Sequence, residues 1–175
     1  MNILVDLRVL SGPWSGIAVY TSELMKALQK SKDPAHTFFY ILTKNQSFEK
    51  KALSFLNALS GKRIFLSYGV YDPRNIFSLN FIILKNKINL YFTTQYFWPF
   101  GLLLCPVINM IHDIIPLTHQ SLLAKSKKTR MKKFFEWSTL LGLKISFRTV
   151  VNSRTTLDSL ENYFGKTHVS KCRIN

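Results

Sequence analysis

Val107-Ile108-Asn109-Met110-Ile111-His112-Asp113-Ile114-Ile115-Pro116 is the stretch on which the fold turns. It is apolar nearly throughout and breaks at His112-Asp113, before an Ile-Ile-Pro exit. A continuous apolar run of this size suits a strand buried on both faces, as in a parallel sheet flanked by helices. In such sheets ligands bind beyond the carboxyl ends of the strands, and the His-Asp pair falls at that end. Two readings of the pair stand side by side. In one it does chemistry; in the other it caps the strand and hydrogen-bonds the next turn.

The flanking sequence repeats the same alternation. Asn2–Leu7 reads as a first buried strand ending in Asp6-Leu7-Arg8, followed by the loop Ser11-Gly12-Pro13-Trp14-Ser15-Gly16. Ile17, Tyr20, Thr21, Leu24, Met25 and Leu28 then recur at helical spacing through Ile17–Lys30. Strand, glycine loop and helix in that order can hold a phosphate, because glycine permits close backbone approach and a helix start presents free N–H groups. The loop is neither a P-loop nor a dinucleotide fingerprint, and a plain tight turn explains it equally. Strands are expected at Thr37–Thr43, Arg63–Ser67, Ile88–Phe92 and Val107–Ile111, with a last one at Thr149–Asn152. Helices are expected at Ser47–Leu59, Leu122–Phe147 (continuous or interrupted at Gly142) and Thr155–Tyr163, with Ser153 near the start of the last. Ile76–Leu84 is apolar and reads as helix or strand, its position in the alternation favouring helix. This alternation predicts an α/β fold, a Rossmann-like parallel sheet flanked by helices, in a single domain over residues 1–175.

Charge narrows the partners. The 24 Lys and Arg against 9 Asp and Glu leave a net charge of +15, which favours phosphate, a nucleotide, nucleic acid or an acidic membrane surface. Cys105 and Cys172 fit no metal or redox spacing and read as buried thiols in a reducing compartment. The opening Met1–Asp6 is too short in its apolar run for a signal peptide. Phe97–Leu117 is the most apolar region, but its prolines and His-Asp pair argue against a membrane span. The expected location is cytoplasmic, peripheral at the inner face of the cell membrane. No metal site is expected.

Three marks fall on one predicted sheet edge: Asp6-Leu7-Arg8-Val9-Leu10 with Ser11-Gly12 and Ser15-Gly16-Ile17-Ala18-Val19-Tyr20; His112-Asp113-Ile114-Ile115-Pro116; and Val151-Asn152-Ser153. In this order the chain resembles the N-terminal domain of family-4 retaining glycosyltransferases of the GT-B type. The mannosyltransferase-like members that serve bacterial surface polysaccharide (lipopolysaccharide) assembly are the nearest in pattern. The resemblance runs from Met1 to the Lys171-Cys172-Arg173-Ile174 tail. Relatives often carry a second glycine where this chain has Ala18, whose methyl crowds a close backbone approach. The family's second domain binds the nucleotide sugar and holds two glutamates with seven residues between them. No two of Glu23, Glu49, Glu136 and Glu161 have that spacing. The resemblance therefore implies the acceptor-side half alone, inactive by itself, and completed by a partner chain or left as a truncated remnant.

What it implies for residues is specific. His112 faces the transferred sugar and its phosphate, and Asp113 orients the imidazole or the following turn. Gly12 and Gly16 lie by the diphosphate and acceptor. Arg8 meets an acceptor phosphate, unless it pairs with Asp6 or Asp113. Ser153 presents a hydroxyl and helix-start N–H groups, or serves as an ordinary N-cap. The donor nucleotide-diphosphate sugar is a substrate, and no cofactor is implied. The acceptor is a glycan or lipid-linked sugar.

Lys127, Lys128, Arg130, Lys132 and Lys133, with Lys125, form a basic run without an acid, followed by Phe134, Phe135, Trp137, Leu140 and Leu141. Such a segment suits an anionic membrane surface, where each cation adds about 1 kcal/mol near the headgroups. Its plain alternative is a solvated basic face over a core. Tyr96, Phe97 and Trp98 either line a sugar or lipid groove or pack under a loop, and His36, His119 and His168 read as surface or loop residues. The rival functions are a non-catalytic module that holds glycan or anionic lipid at the membrane surface, and a nucleic-acid binder. No nucleic-acid-binding signature supports the latter.

Overall fold

The computed structural model describes residues 1–11, 15–31, 35–44, 49–94, 103–118 and 128–174. The chain is an α/β protein with seven described strands, and every described pairing between them is parallel. Two compact units divide it, one comprising Met1–Thr94 with the segment that ends at Pro106, the other running from Val107.

The first unit alternates strand and helix: β1 (Asn2–Asp6), α1 (Gly16–Lys30), β2 (Thr37–Thr43), α2 (Lys50–Ala58), β3 (Lys62–Leu66), α3 (Asn75–Lys85) and β4 (Leu90–Thr93). Its strand order is β3-β2-β1-β4, with Asp6 opposite Ile41 on one side and Thr93 on the other. β1 is therefore flanked on both edges. Leu4, Val5, Tyr40, Ile41, Leu42 and Tyr91 are buried on the sheet, and Met25 and Leu79 bring α1 and α3 onto it. Each such side chain contributes roughly 1.5–3 kcal/mol by leaving water.

Gly61 turns the chain into β3 at φ 150°, where a Cβ would lie 2.6 Å from the Tyr40 ring and 2.8 Å from the Phe38 carbonyl. Only glycine fits there. At the far end of α3, Lys87 N–H bonds to the Leu84 carbonyl at 3.2 Å and Ile88 N–H to Ile83 at 2.9 Å, with Lys87 in the left-handed region at φ 49°. This is a Schellman ending with a lysine at the position glycine usually takes.

The second unit contains β5 (Val107–Ile111), α4 (Ile115–Thr118), α5 (Lys128–Ile145), β6 (Arg148–Val151), α6 (Arg154–Phe164), α7 (Lys166–Val169) and β7 (Cys172–Ile174). β6 lies between β5 and β7. Ile111, Ile114, Leu117, Phe135, Leu143, Val151, Leu160, Val169 and Cys172 form its core, and Phe134 packs against that core.

Two expected strand positions need correction, and two points that the sequence left open are settled. Thr149–Asn152 is not the last strand, because α7 and β7 follow it; both are of four residues or fewer, below what periodicity can reveal. α5 runs through Gly142 without a break, since that glycine is buried, and packing outweighs the propensity cost of about 1 kcal/mol. Between β1 and the expected loop, Arg8–Ser11 forms a 3-10 turn, in a stretch to which the sequence pattern assigns no structure. The fourth strand begins at Leu90, because Ile88 and Asn89 close the α3 ending and bond back to Ile83 and Asn2.

Candidate functional site

Each unit gathers polar residues at the carboxyl ends of its strands. In the first unit β1 neighbours β4, while the chain winds away through β2 and β3; reversals of this kind are where open α/β sheets hold ligands. The Asp6-Leu7-Arg8 turn sits there. Asp6 closes β1 and Arg8 opens the 3-10 turn after it, and that turn folds the guanidinium back onto the carboxylate.

Arg8 Nη2 and Nε donate to Asp6 Oδ2 and Oδ1 at 2.6 and 2.9 Å, and Arg8 N–H donates to Oδ1 at 3.1 Å. Both side chains are almost wholly buried. Tyr91 Oη adds a bond to Asp6 Oδ2 at 2.8 Å, and Thr94 Oγ1 donates to the Asp6 carbonyl at 3.0 Å. Arg8 Nη1 reaches Asn75 Oδ1 at 2.8 Å and the Gly69 carbonyl at 3.2 Å. Asn75 Nδ2 in turn holds the carbonyls of Gly69 and Val70.

Burial on its own pulls the guanidinium's pKa down, but the adjacent Asp6 charge and its hydrogen bonds outweigh that and leave it raised. Burial and the Asp6 charge push the Tyr91 hydroxyl well above its ordinary value. The alternatives left open for Arg8 thus resolve to Asp6, not Asp113. Its side chain is committed within a buried network.

Gly16 opens α1 behind the N-cap Ser15, whose Oγ accepts Ala18 N–H at 3.4 Å. A Cβ built on Gly16 meets nothing within 4 Å, so packing does not require glycine there. Ala18 is buried. Gly12 lies outside the described residues, as do Tyr96, Phe97, Trp98, His119, Lys125 and Lys127.

In the second unit the ends of β5 and β6 meet through one hydroxyl. Thr156 Oγ1 donates to the His112 carbonyl at 3.0 Å, across 44 residues of sequence. It also lies 2.9 Å from Ser153 Oγ and 3.2 Å from Asn152 Oδ1. Ser153 Oγ accepts Thr156 N–H at 3.1 Å, which makes Ser153 the N-cap of α6. A hydroxyl has a single proton. With Thr156 donating to His112, the Ser153 proton goes to Thr156, giving a relay Ser153–Thr156–His112 carbonyl. His112 is buried, and Ser153 is half-buried. Asp113 Oδ1 accepts Ile115 N–H at 3.0 Å and so orders the turn into α4.

The structure therefore brings His112, Asp113 and Ser153 together in one unit and sets Arg8 and Gly16 in the other. Asn75, Tyr91, Thr94 and Thr156 went unrecognised in the sequence. A carboxylate at the end of a buried strand demands donors, but only topology brings it Tyr91 from 85 residues away. For Thr156, helix-capping rules point to its backbone N–H, not its hydroxyl.

Along α5, Lys128 and Arg130 are helical, and Lys132 Nζ stands 6.0 Å from the Tyr163 ring centroid. Lys133 is exposed. Phe134, Phe135 and Leu143 turn into the core, leaving Trp137 as an exposed aromatic. Among the described residues no three His, Cys, Asp or Glu side chains gather as a metal site, and no helix is long and apolar enough to cross a membrane.

No family model and no curated protein matches the sequence. Among solved structures, a crystal structure of an NADH-dependent reductase (A1-R′, complexed with NAD) is similar at 12% identity, covering 99% of this chain and 76% of that one, with a TM-score of 0.35.

Proposed function

We propose that this chain is the acceptor-side, N-terminal domain of a retaining glycosyltransferase. The complete enzyme would move a hexose such as mannose from a nucleotide-diphosphate sugar to a glycan or lipid-linked acceptor in surface polysaccharide synthesis. The observation that carries the reading is the Ser153–Thr156–His112 relay, which ties the turns after β5 and β6 at the carboxyl ends of parallel strands. In this reading His112 hydrogen-bonds a sugar hydroxyl or, when protonated, helps neutralise the leaving phosphate. Asp113 holds the turn that carries it. The α1 start at Ser15-Gly16 offers N–H groups and open space to a phosphate. Arg8 serves indirectly, by fixing the turn between β1 and α1.

The test is acceptor binding, read by saturation-transfer NMR on the whole chain with alkyl mannosides and a polyprenyl-phosphate-linked sugar. Saturation of sugar protons is expected, with a loss of about tenfold in affinity in His112→Ala, the size of one charge-assisted hydrogen bond. Glycosides that receive no saturation would overturn the reading.

A further inference from the structure

Helix α3 is apolar on its solvent side. Phe77, Phe81 and Leu84 are 80%, 63% and 65% exposed, and their spacing of four and three residues places them on one face. Leu104, 61% exposed, is held beside that face by its N–H to Asn80 Oδ1 at 3.0 Å. Scattered exposed apolar residues need no explanation, but a contiguous stripe of aromatic and aliphatic side chains marks a surface that meets something apolar.

The surrounding charge says what. Lys85 and Lys87 stand at the carboxyl end of the stripe and Arg74 at its start, and Lys85 Nζ lies 5.8 Å from the Phe81 ring centroid. Arg74 is paired with Asp72. From Pro73 to His112 the sequence contains no acid. Lys87 occupies a left-handed position that glycine would fill more easily, so the helix ends on a cation rather than on its least strained residue.

We infer that α3 lies on an anionic lipid surface, with Phe77, Phe81 and Leu84 in the acyl boundary and Lys85 and Lys87 at the headgroups. An apolar face bordered by cations matches a bilayer that is apolar within and negative at its rim. A second copy is the poorer occupant, because pairing two such faces brings their lysines together in chains that each carry +15. Nor does α3 cross the bilayer, since no described helix is long and apolar enough. The inference rests on α3 alone and does not depend on sugar transfer.

Sedimentation of the whole chain with phosphatidylcholine vesicles, with and without phosphatidylglycerol, tests it. The chain is expected to pellet with the anionic vesicles. Phe77→Ser with Phe81→Ser should lower that partition at least about tenfold, and Lys85→Gln with Lys87→Gln should lower it by up to about thirtyfold. Lys132→Gln with Lys133→Gln should leave it within about twofold. Should the serine pair fail to fold, Phe81→Trp gives a second reading: its added indole emission should be quenched by brominated acyl chains. Overturning results are no vesicle binding by the native chain, binding unchanged in the folded serine pair, or loss only in the Lys132/Lys133 variant. Phe77-dependent dimerisation without vesicle binding would identify a second copy instead, and added emission from the Phe81→Trp variant that is indifferent to brominated lipid would overturn the inference.

Discussion

The polar clusters of the two units make an instructive pair. At the end of β1, full charges are buried and spent on one another: Asp6 receives Arg8 and Tyr91, and Arg8 continues to Asn75 and Gly69. At the ends of β5 and β6 the link is neutral, a hydroxyl relay from half-buried Ser153 through Thr156 to the His112 carbonyl. Buried charge that is fully paired is rigid and costly to disturb, whereas neutral hydroxyls can exchange partners at small cost. The first cluster is thus suited to holding a turn in place. The second, without a full charge to compensate, is the easier of the two to rearrange.

The sharpest way to break this contrast is to remove one charge. Arg8→Met strands Asp6 in the interior and should cost about 3–5 kcal/mol in urea unfolding. Adding Asp6→Asn should recover most of that, because a neutral pair no longer carries the desolvation penalty. A loss below about 1 kcal/mol in Arg8→Met would show that the pair is solvated and the contrast mistaken.

In the neutral cluster, Thr156→Val should cost about 1–3 kcal/mol by leaving the buried His112 carbonyl without its donor. Ser153→Ala should cost about 1 kcal/mol as a lost N-cap. If Ser153 also touches acceptor, that variant will lose binding beyond what its stability change explains.

Alkali separates the clusters as well. The folded-state pKa of Tyr91 is raised, so the unfolded chain gives up that proton first, from about its ordinary value of 10.0. Stability from this group is complete below that pH and falls as pH rises past it. Burial likewise pushes the Cys172 thiol up to about 11, adding a similar loss above its ordinary 9.0. Melting at pH 8 and 10.5 should therefore show a smaller alkaline decrement in Tyr91→Phe than in the native chain.

The smallest effect belongs to Gly16. With open space at its Cβ position, Gly16→Ala should stabilise the chain by a few tenths of a kcal/mol, up to about 1. If the helix start receives a phosphate, the same methyl group will weaken binding of inorganic phosphate in calorimetry. Unchanged phosphate affinity would reduce Gly16 to an ordinary helix residue.

Much of this architecture was legible in the residues themselves. Thr37–Thr43 and Val107–Ile111 occupy the expected spans to the residue, because short, largely apolar runs of five to seven residues rich in β-branched and aromatic side chains suit strands buried on both faces. Helices α1 and α6 lie within about a residue of their expected spans. α3 does too, but its apolar run reads as helix or strand and only its place in the alternation favours helix. Ser153 as a cap was readable too, since its partner is three residues away.

By itself, then, the sequence determined the alternation of strands and helices, the α/β class and the polar breaks at strand ends. All of these are governed by interactions a few residues long. Tertiary structure alone decided which polar groups answer one another: Arg8 with Asn75, Asp6 with Tyr91, Thr156 with the His112 carbonyl. It also decided that the apolar side of α5 turns inward while Phe77, Phe81 and Leu84 of α3 stay in solvent. Hydrophobicity fixes how much surface a residue would lose by burial, but only the position of its neighbours determines whether that surface is covered.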